Sequence, residues 1–98
     1  MHVITRKRLN GFAAEHRDSE GPLAAWFHLV RRKRYAHASE VRADFRAASF
    51  LGRWRTVFNI GGNKYRLVVD IRYDLGRIYI RQVLTHAEYT RLSRAGGL

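Results

Sequence analysis

The chain has 98 residues, no cysteine, and 19 Lys+Arg against 8 Asp+Glu, a formal net charge of +11 at pH 7. That length holds one small domain, residues 1–98, and the missing cysteine excludes a disulfide framework and a thiolate metal site. No apolar run approaches the ~20 residues of a membrane span or the apolar segment of a signal peptide, so the expected address is the cytoplasm, with no membrane partner.

The sequence pI near 11.3 is carried by arginine except at Lys7, Lys33 and Lys64. A planar guanidinium fork suits bidentate phosphate contacts, so the charge points to nucleic acid or an acidic protein partner. His2-Val3-Ile4-Thr5 is a short β-prone start, and Leu9, Phe12 and Ala13 then follow helical spacing with Thr5 as the expected cap. Asp18 to Pro22 punctuates the chain. Leu23, Trp26, Phe27 and Val30 form one apolar stripe of a second helix, which runs into Arg31-Arg32-Lys33-Arg34. Cations at a helix C-terminus complement its dipole, so two readings fit this run: structural complement and RNA contact. Ser39 is the expected cap of a third helix with Val41, Phe45 and Ala48 inward.

From Trp54 the apolar period changes to two, giving three expected antiparallel strands at about 54–60, 63–73 and 77–84. Thr85-His86-Ala87-Glu88 has capping-box spacing and opens a last helix through Tyr89 and Leu92; the Gly96-Gly97 tail is expected to fray. Helices, a meander and a final helix make an α+β fold.

Gly61-Gly62 lacks the spacing of a nucleotide-binding loop and reads as a two-residue hairpin turn, with Ile60 facing Asn63 and Val57 facing Arg66. One hairpin face then holds Phe58, Ile60, Tyr65, Leu67, Val69 and Ile71. The other holds Asn59, Lys64, Arg66, Val68, Asp70 and Arg72 and is expected to be open. The third strand chooses its register by cost. An even loop around Asp74-Leu75-Gly76 buries Ile78 and Ile80 and keeps the Arg81 guanidinium out of the core, with Tyr79 beside it. A two-residue loop would set Asp70 opposite Arg81.

The open face and the helix that follows therefore gather Asn59, Lys64, Arg66, Arg81, His86 and Tyr89. This set suits RNA cleavage without a metal: arginines for a developing phosphorane, an imidazole that titrates near neutrality, and a tyrosine that can donate or stack. The plain alternatives are an Arg66–Asp70–Arg81 ion-pair group, a solvated His86 and a Tyr89 that packs the last helix. No HExxH or CxxC spacing occurs, and no cofactor is expected.

FNIGGNKYRL followed by IRQVLTHAEY resembles the HigB family of bacterial toxins, within the RelE-like ribosome-dependent mRNA interferases, and MHVITRKRLNGFA fits that family's opening strand and helix. The resemblance implies a RelE-like domain, with N-terminal helices packed on a small antiparallel sheet followed by a short C-terminal helix. It implies cleavage of messenger RNA in the ribosomal A site and a cognate HigA-like helix-turn-helix antitoxin. Asn63 and Arg66 match its first block; Arg81, Thr85, His86 and Tyr89 match its second. The expected site is thus Arg66, Arg81, His86 and Tyr89 for catalysis. Asn59, Asn63, Lys64, Arg72, Tyr79, Thr85 and the run Arg31, Arg32, Lys33 and Arg34 are expected to bind RNA. A competing reading is a basic module that occupies RNA or the ribosome without cutting.

Overall fold

The alternating residues of the second half build the sheet on which everything else is placed. A computed structural model describes residues 1–98. Strands β1 (His2–Ile4), β2 (Ser49–Phe50), β3 (Arg55–Ile60), β4 (Tyr65–Arg72) and β5 (Arg77–Thr85) form one sheet in the order β1-β5-β4-β3-β2. Helices α1 (Lys7–Glu15), α2 (Glu20–Val30) and α3 (Ala38–Asp44) precede the meander, and α4 (His86–Arg94) follows it. The fold is the expected α+β class. The β1 edge runs parallel to β5, and the two-residue β2 pairs with β3; neither pairing has a local sequence signal.

Phe58, Ile60, Tyr65, Leu67, Val69, Ile71, Ile78 and Ile80 bury against Leu9 of α1, Leu23, Trp26 and Val30 of α2, and Val41 of α3. This is the core face read from the alternation. Each large apolar side chain so buried contributes about 1.5–3 kcal/mol. Trp26 meets Phe58 edge-on at 5.5 Å between ring centres.

Several local expectations are corrected. Neither Thr5 nor Ser39 caps a helix through its side chain: Thr5 takes a left-handed φ of 71°, and Ser39 lies within α3, whose cap position is His37. The Thr5 carbonyl, rather than its hydroxyl, accepts from Arg8 N–H at 3.0 Å as the chain turns from β1 into α1. Ahead of α3 it is Glu40 that reaches back, accepting from Ala36 N–H at 2.5 Å. The C-terminal glycines, expected as a loose tail, close the helix: Gly96 is left-handed, and its N–H and that of Gly97 donate to Ser93 and Leu92 carbonyls at 3.2 and 2.8 Å. That is a Schellman closure.

The Gly61-Gly62 turn is wider than two residues. Ile60 pairs with Tyr65 and Asn59 with Arg66, leaving 61–64 as the loop. A shift of two positions preserves both faces, so the core assignment survives while each cross-strand partner changes. The wider loop leaves the Lys64 carbonyl free to accept from His86 N–H at 2.9 Å, tying the hairpin to the start of α4. The β4–β5 loop, 73–76, is even as expected.

The second face is not open throughout. Val57, Val68 and Leu84 form a small second core beneath Tyr89, Leu92 and Leu98 of the C-terminal segment. A β-bulge makes this possible. Val69 pairs with Ile80 and Val68 with Gln82, so Arg81 is the extra residue of β5. The bulge reverses the alternation, turning Gln82 away from the main core and Leu84 towards α4.

Two glycine substitutions are expected to move stability in opposite directions. Gly62, at φ 70° with open space around it, should lose about 1–2 kcal/mol as alanine through left-handed strain alone. Gly11, inside α1 with nothing within 4 Å, should gain about 0.5–1 kcal/mol as alanine. Urea unfolding of the two variants checks both signs.

Candidate functional site

Arg66 is the centre of the second face. It is only 8% exposed, yet no carboxylate lies within ion-pair distance of its guanidinium. Its partners are neutral. Nη1 donates to the carbonyls of Asn63 and Tyr65 at 3.2 and 3.1 Å, and Nη2 donates to Asn63 Oδ1 at 3.3 Å. The Tyr89 ring lies 5.6 Å from the guanidinium carbon. The wide 61–64 loop turns the Asn63 carbonyl inward to make this set. Arg66 is therefore buried rather than open, which corrects the sequence expectation. A desolvated cation with neutral partners costs several kcal/mol unless an anion arrives, and it retains its attraction for one.

Asn59, opposite Arg66 on β3, donates from Nδ2 to Asn63 Oδ1 at 3.5 Å. Asn59, Asn63, Arg66 and Tyr89 thus form one connected group. Arg81 belongs to a neighbouring group instead. Asp70 accepts from Arg81 Nε at 2.7 Å and from Arg55 Nε and Nη2 at 2.6 and 3.3 Å. The ion pairs at Asp70 are with Arg55 and Arg81, not Arg66 and Arg81, and Asp70 lies opposite Tyr79 in the ladder because the β4–β5 loop has four residues rather than two. Arg81 also lies 5.4 Å from the ring of Tyr79, whose hydroxyl accepts a long hydrogen bond from Arg77 at 3.5 Å. Burial alone would raise the Asp70 pKa. The hydrogen bonds from Arg55 and Arg81 outweigh it, so the carboxyl lies below its ordinary range.

The remaining expected residues divide sharply. Thr85 is spent as a helix cap: its hydroxyl accepts from Glu88 N–H at 3.2 Å while Glu88 accepts from Thr85 N–H at 2.8 Å. His86, the first residue of α4, is exposed and shares a cleft of about 610 Å³ with Ala87, Thr90, Arg91 and Arg94; its ring makes no hydrogen bond to Arg66 or Arg81. Lys64 pairs with Asp18 at 3.0 Å, on the helix side of the hairpin, where Tyr65 also donates to Asp18 at 2.5 Å. Arg72 is held by Asp74 through two bonds of 3.0 and 2.7 Å.

The run Arg31–Arg34 does not join Arg66. Arg31 lies 5.7 Å from the Phe27 ring, Lys33 pairs with Asp44 at 3.4 Å, and Arg34 donates to the Tyr73 carbonyl at 2.6 Å, at the opposite end of β4. Arg32 makes no ion pair. Sequence reasoning missed Arg55, whose signal was its place two residues ahead of Val57 on the second face. No group of three His, Cys, Asp or Glu residues is placed to hold a metal ion.

Residues 19–92 match the family model described as HigB_toxin, the RelE-like toxic component of a toxin–antitoxin system. The chain belongs to the HigB toxin family. Over 92 residues it is 30% identical to the mRNA interferase toxin HigB of Escherichia coli strain K12, covering 91% of this chain and 88% of that protein. It is 23% identical over 97 residues to the mRNA interferase HigB of Escherichia coli O6:H1, covering 96% and 93%. HigB membership makes the chain the toxic component of a toxin–antitoxin system, with a cognate antitoxin as its counterpart. No helix of this HigB protein is long and apolar enough to cross a membrane.

The Asp70 clamp has a pH signature. Because its folded pKa lies below the unfolded value of about 3.9, its contribution is complete above about pH 4 and is lost as pH falls through the lower folded value. Asp70→Asn should therefore cost about 1.5–3 kcal/mol near neutrality, and the gap to the parent chain should close below about pH 4. Thermal unfolding of both chains from pH 7 to 3 checks this; a gap of constant size would mean that the clamp acts as neutral packing.

Proposed function

We propose that this HigB protein is a metal-independent endoribonuclease that cuts messenger RNA on the ribosome and so inhibits translation in the cytoplasm. The observation that carries the reading is Arg66, a buried guanidinium with carbonyl, amide and aromatic partners and no carboxylate. A phosphate is the anion that such a fork accepts best. The related HigB proteins that bear the description mRNA interferase support the choice of substrate.

In the proposed reaction the 2′-oxygen of one nucleotide attacks the adjacent phosphorus while the bond to the 5′-oxygen breaks. A 2′,3′-cyclic phosphate and a 5′-hydroxyl result. Arg66 and the bulged Arg81 stabilise the charge that builds on the phosphorane oxygens. Tyr89 covers Arg66 and offers a hydroxyl. His86, at the exposed start of α4, is the imidazole proposed to move a proton. Asp70 is unfit as a base because Arg55 and Arg81 hold it ionised. Fixed positive charge helps only once the 2′-oxygen is in line with the leaving oxygen, a geometry that flexible free RNA seldom holds and that the A site would impose. The proposed counterpart is a HigA-like helix-turn-helix antitoxin.

A second reading, a basic RNA-binding module without cleavage, is favoured by one observation: the His86 ring stands with Arg91 and Arg94 rather than with Arg66 or Arg81. Single-turnover cleavage of one synthetic message, free and on programmed ribosomes at fixed salt, decides between them. Ribosome-bound message should be cut and free message left nearly intact. Arg66→Lys, which keeps the charge and loses the fork, should cut about 10²–10³-fold more slowly. His86→Ala should be slower by about 10²–10⁴-fold if His86 transfers a proton. Full occupancy of ribosomes without any new 5′ ends would leave the binding module.

A further inference from the structure

The tip of the sheet opposite His86 carries an aromatic and cationic cluster that the proposed cleavage site does not use. The segment 51–54 and the loop 73–76 meet there, with Trp54 between them. Its carbonyl accepts from Ile71 N–H at 2.9 Å and from the Thr56 hydroxyl at 3.2 Å, so the main chain beneath the ring is fixed. The Arg72 and Arg53 guanidinium carbons lie 4.2 and 5.1 Å from the indole. Trp54, Arg53, Arg72, Tyr73 and Asp74 line a cleft of about 430 Å³.

The two arginines are not equivalent. Arg72 is anchored by Asp74 at 3.0 and 2.7 Å, whereas Arg53 is exposed and has no ion pair or hydrogen bond. Arg34, from the basic run, reaches the same tip by donating to the Tyr73 and Asp74 carbonyls at 2.6 and 3.5 Å. Leu51 and Leu75, 46% and 47% exposed, stand on the two segments that form it. A flat indole with one unpaired cation and one anchored cation offers a stacking surface beside sites for a phosphate. That pairing recognises an unstacked base on its own backbone. A duplex cannot use it, because its bases already stack on one another.

We infer that Trp54, with Arg53 and Arg72, is a nucleobase-stacking subsite for single-stranded RNA, separate from the place of cleavage. Arg66 and Arg72 share the second face of β4 six positions apart, about 20 Å at ~3.3 Å per residue. The Arg55–Asp70–Arg81 group lies between them. The base held at Trp54 therefore sits several nucleotides from the phosphate at Arg66. Arg53, which no ion pair or hydrogen bond holds, yields its place on the ring as the base enters. This inference rests on the reading of the chain as an RNA-acting toxin. The strand could be message or ribosomal RNA, which present the same chemistry.

Tryptophan fluorescence tests it without any cleavage. The chain has two tryptophans, and Trp26 is only 2% exposed. The signal of the parent chain minus that of Trp54→Phe therefore reports Trp54. A 2′-O-methyl hexanucleotide should quench that difference signal, whereas an abasic oligomer of equal charge and inorganic phosphate should not. Trp54→Leu should bind the hexanucleotide about 5- to 150-fold more weakly. Equal quenching by the abasic oligomer, or unchanged affinity in Trp54→Leu, would overturn the subsite. Photocrosslinking of the parent chain to programmed ribosomes, read by primer extension, assigns the strand: stops fall in the message or in ribosomal RNA, and stops in neither would also overturn it. A chain that cuts message while Trp54 reports no stacking refutes this inference alone. Quenching in a chain that never cuts leaves it standing and removes the nuclease reading.

Discussion

The structure depends on one arrangement: a guanidinium taken out of water and given no counter-charge. Arg66 sits in a sheet between a core and a covering helix, and its partners are two main-chain carbonyls, one side-chain amide oxygen and one aromatic ring. Each element of the second half contributes to that environment. The wide turn supplies Asn63, β3 supplies Asn59, and the capping box fixes the start of α4 so that Tyr89 falls over the strand. Isolating a cation in this way costs stability, and small domains have little to spare. A phosphate would supply the missing charge, which is why the site reads as one for an anion that comes and goes.

The bulge at Arg81 is the second constraint. Without it β5 would send Gln82 into the main core and leave Leu84 there beside Tyr65. With it the strand serves two cores in succession, Ile78 and Ile80 beneath the N-terminal helices, then Leu84 beneath α4. Arg81, the bulged residue itself, reaches Asp70, where Arg55 meets it. Of the three arginines on this stretch, two share one carboxylate and one has none. That inequality leaves the Arg66 charge wholly free for a ligand, while Arg55 and the half-exposed Arg81 share theirs with Asp70.

Much of this was legible in the sequence because it follows from period and sign. The alternation through Phe58, Ile60, Leu67, Val69 and Ile71 fixes the core face whatever the loop length, since the register can slip by two without exchanging faces. Ile78 and Ile80 fix the parity of the next strand. The Thr85–Glu88 cap is a local motif and forms as spaced. What escaped was set by tertiary geometry. The parallel pairing of β1 with β5, the bulge and the folding of α4 over Val57 and Val68 each join segments whose order in sequence says nothing of their contact. Arg66 was assigned to an open face because alternation sets it among polar and basic residues, and burying it carries the cost of an unpaired cation. The chain meets that cost with neutral partners, and the exception to the rule is the candidate site itself. The basic run 31–34 looked like part of the same site by charge alone, but its direction along α2 carries Arg34 to the far tip of the sheet.

The central claim is that Arg66, and not Arg55 held at Asp70, receives the phosphate. Nitrogen-detected NMR of the arginine Nε groups reads this directly as a non-cleavable 2′-O-methyl trinucleotide is added. The account predicts that the Arg66 Nε resonance shifts and saturates with the ligand while the Arg55 resonance, committed to Asp70, stays in place. A saturating shift of Arg55 with Arg66 unmoved would contradict it.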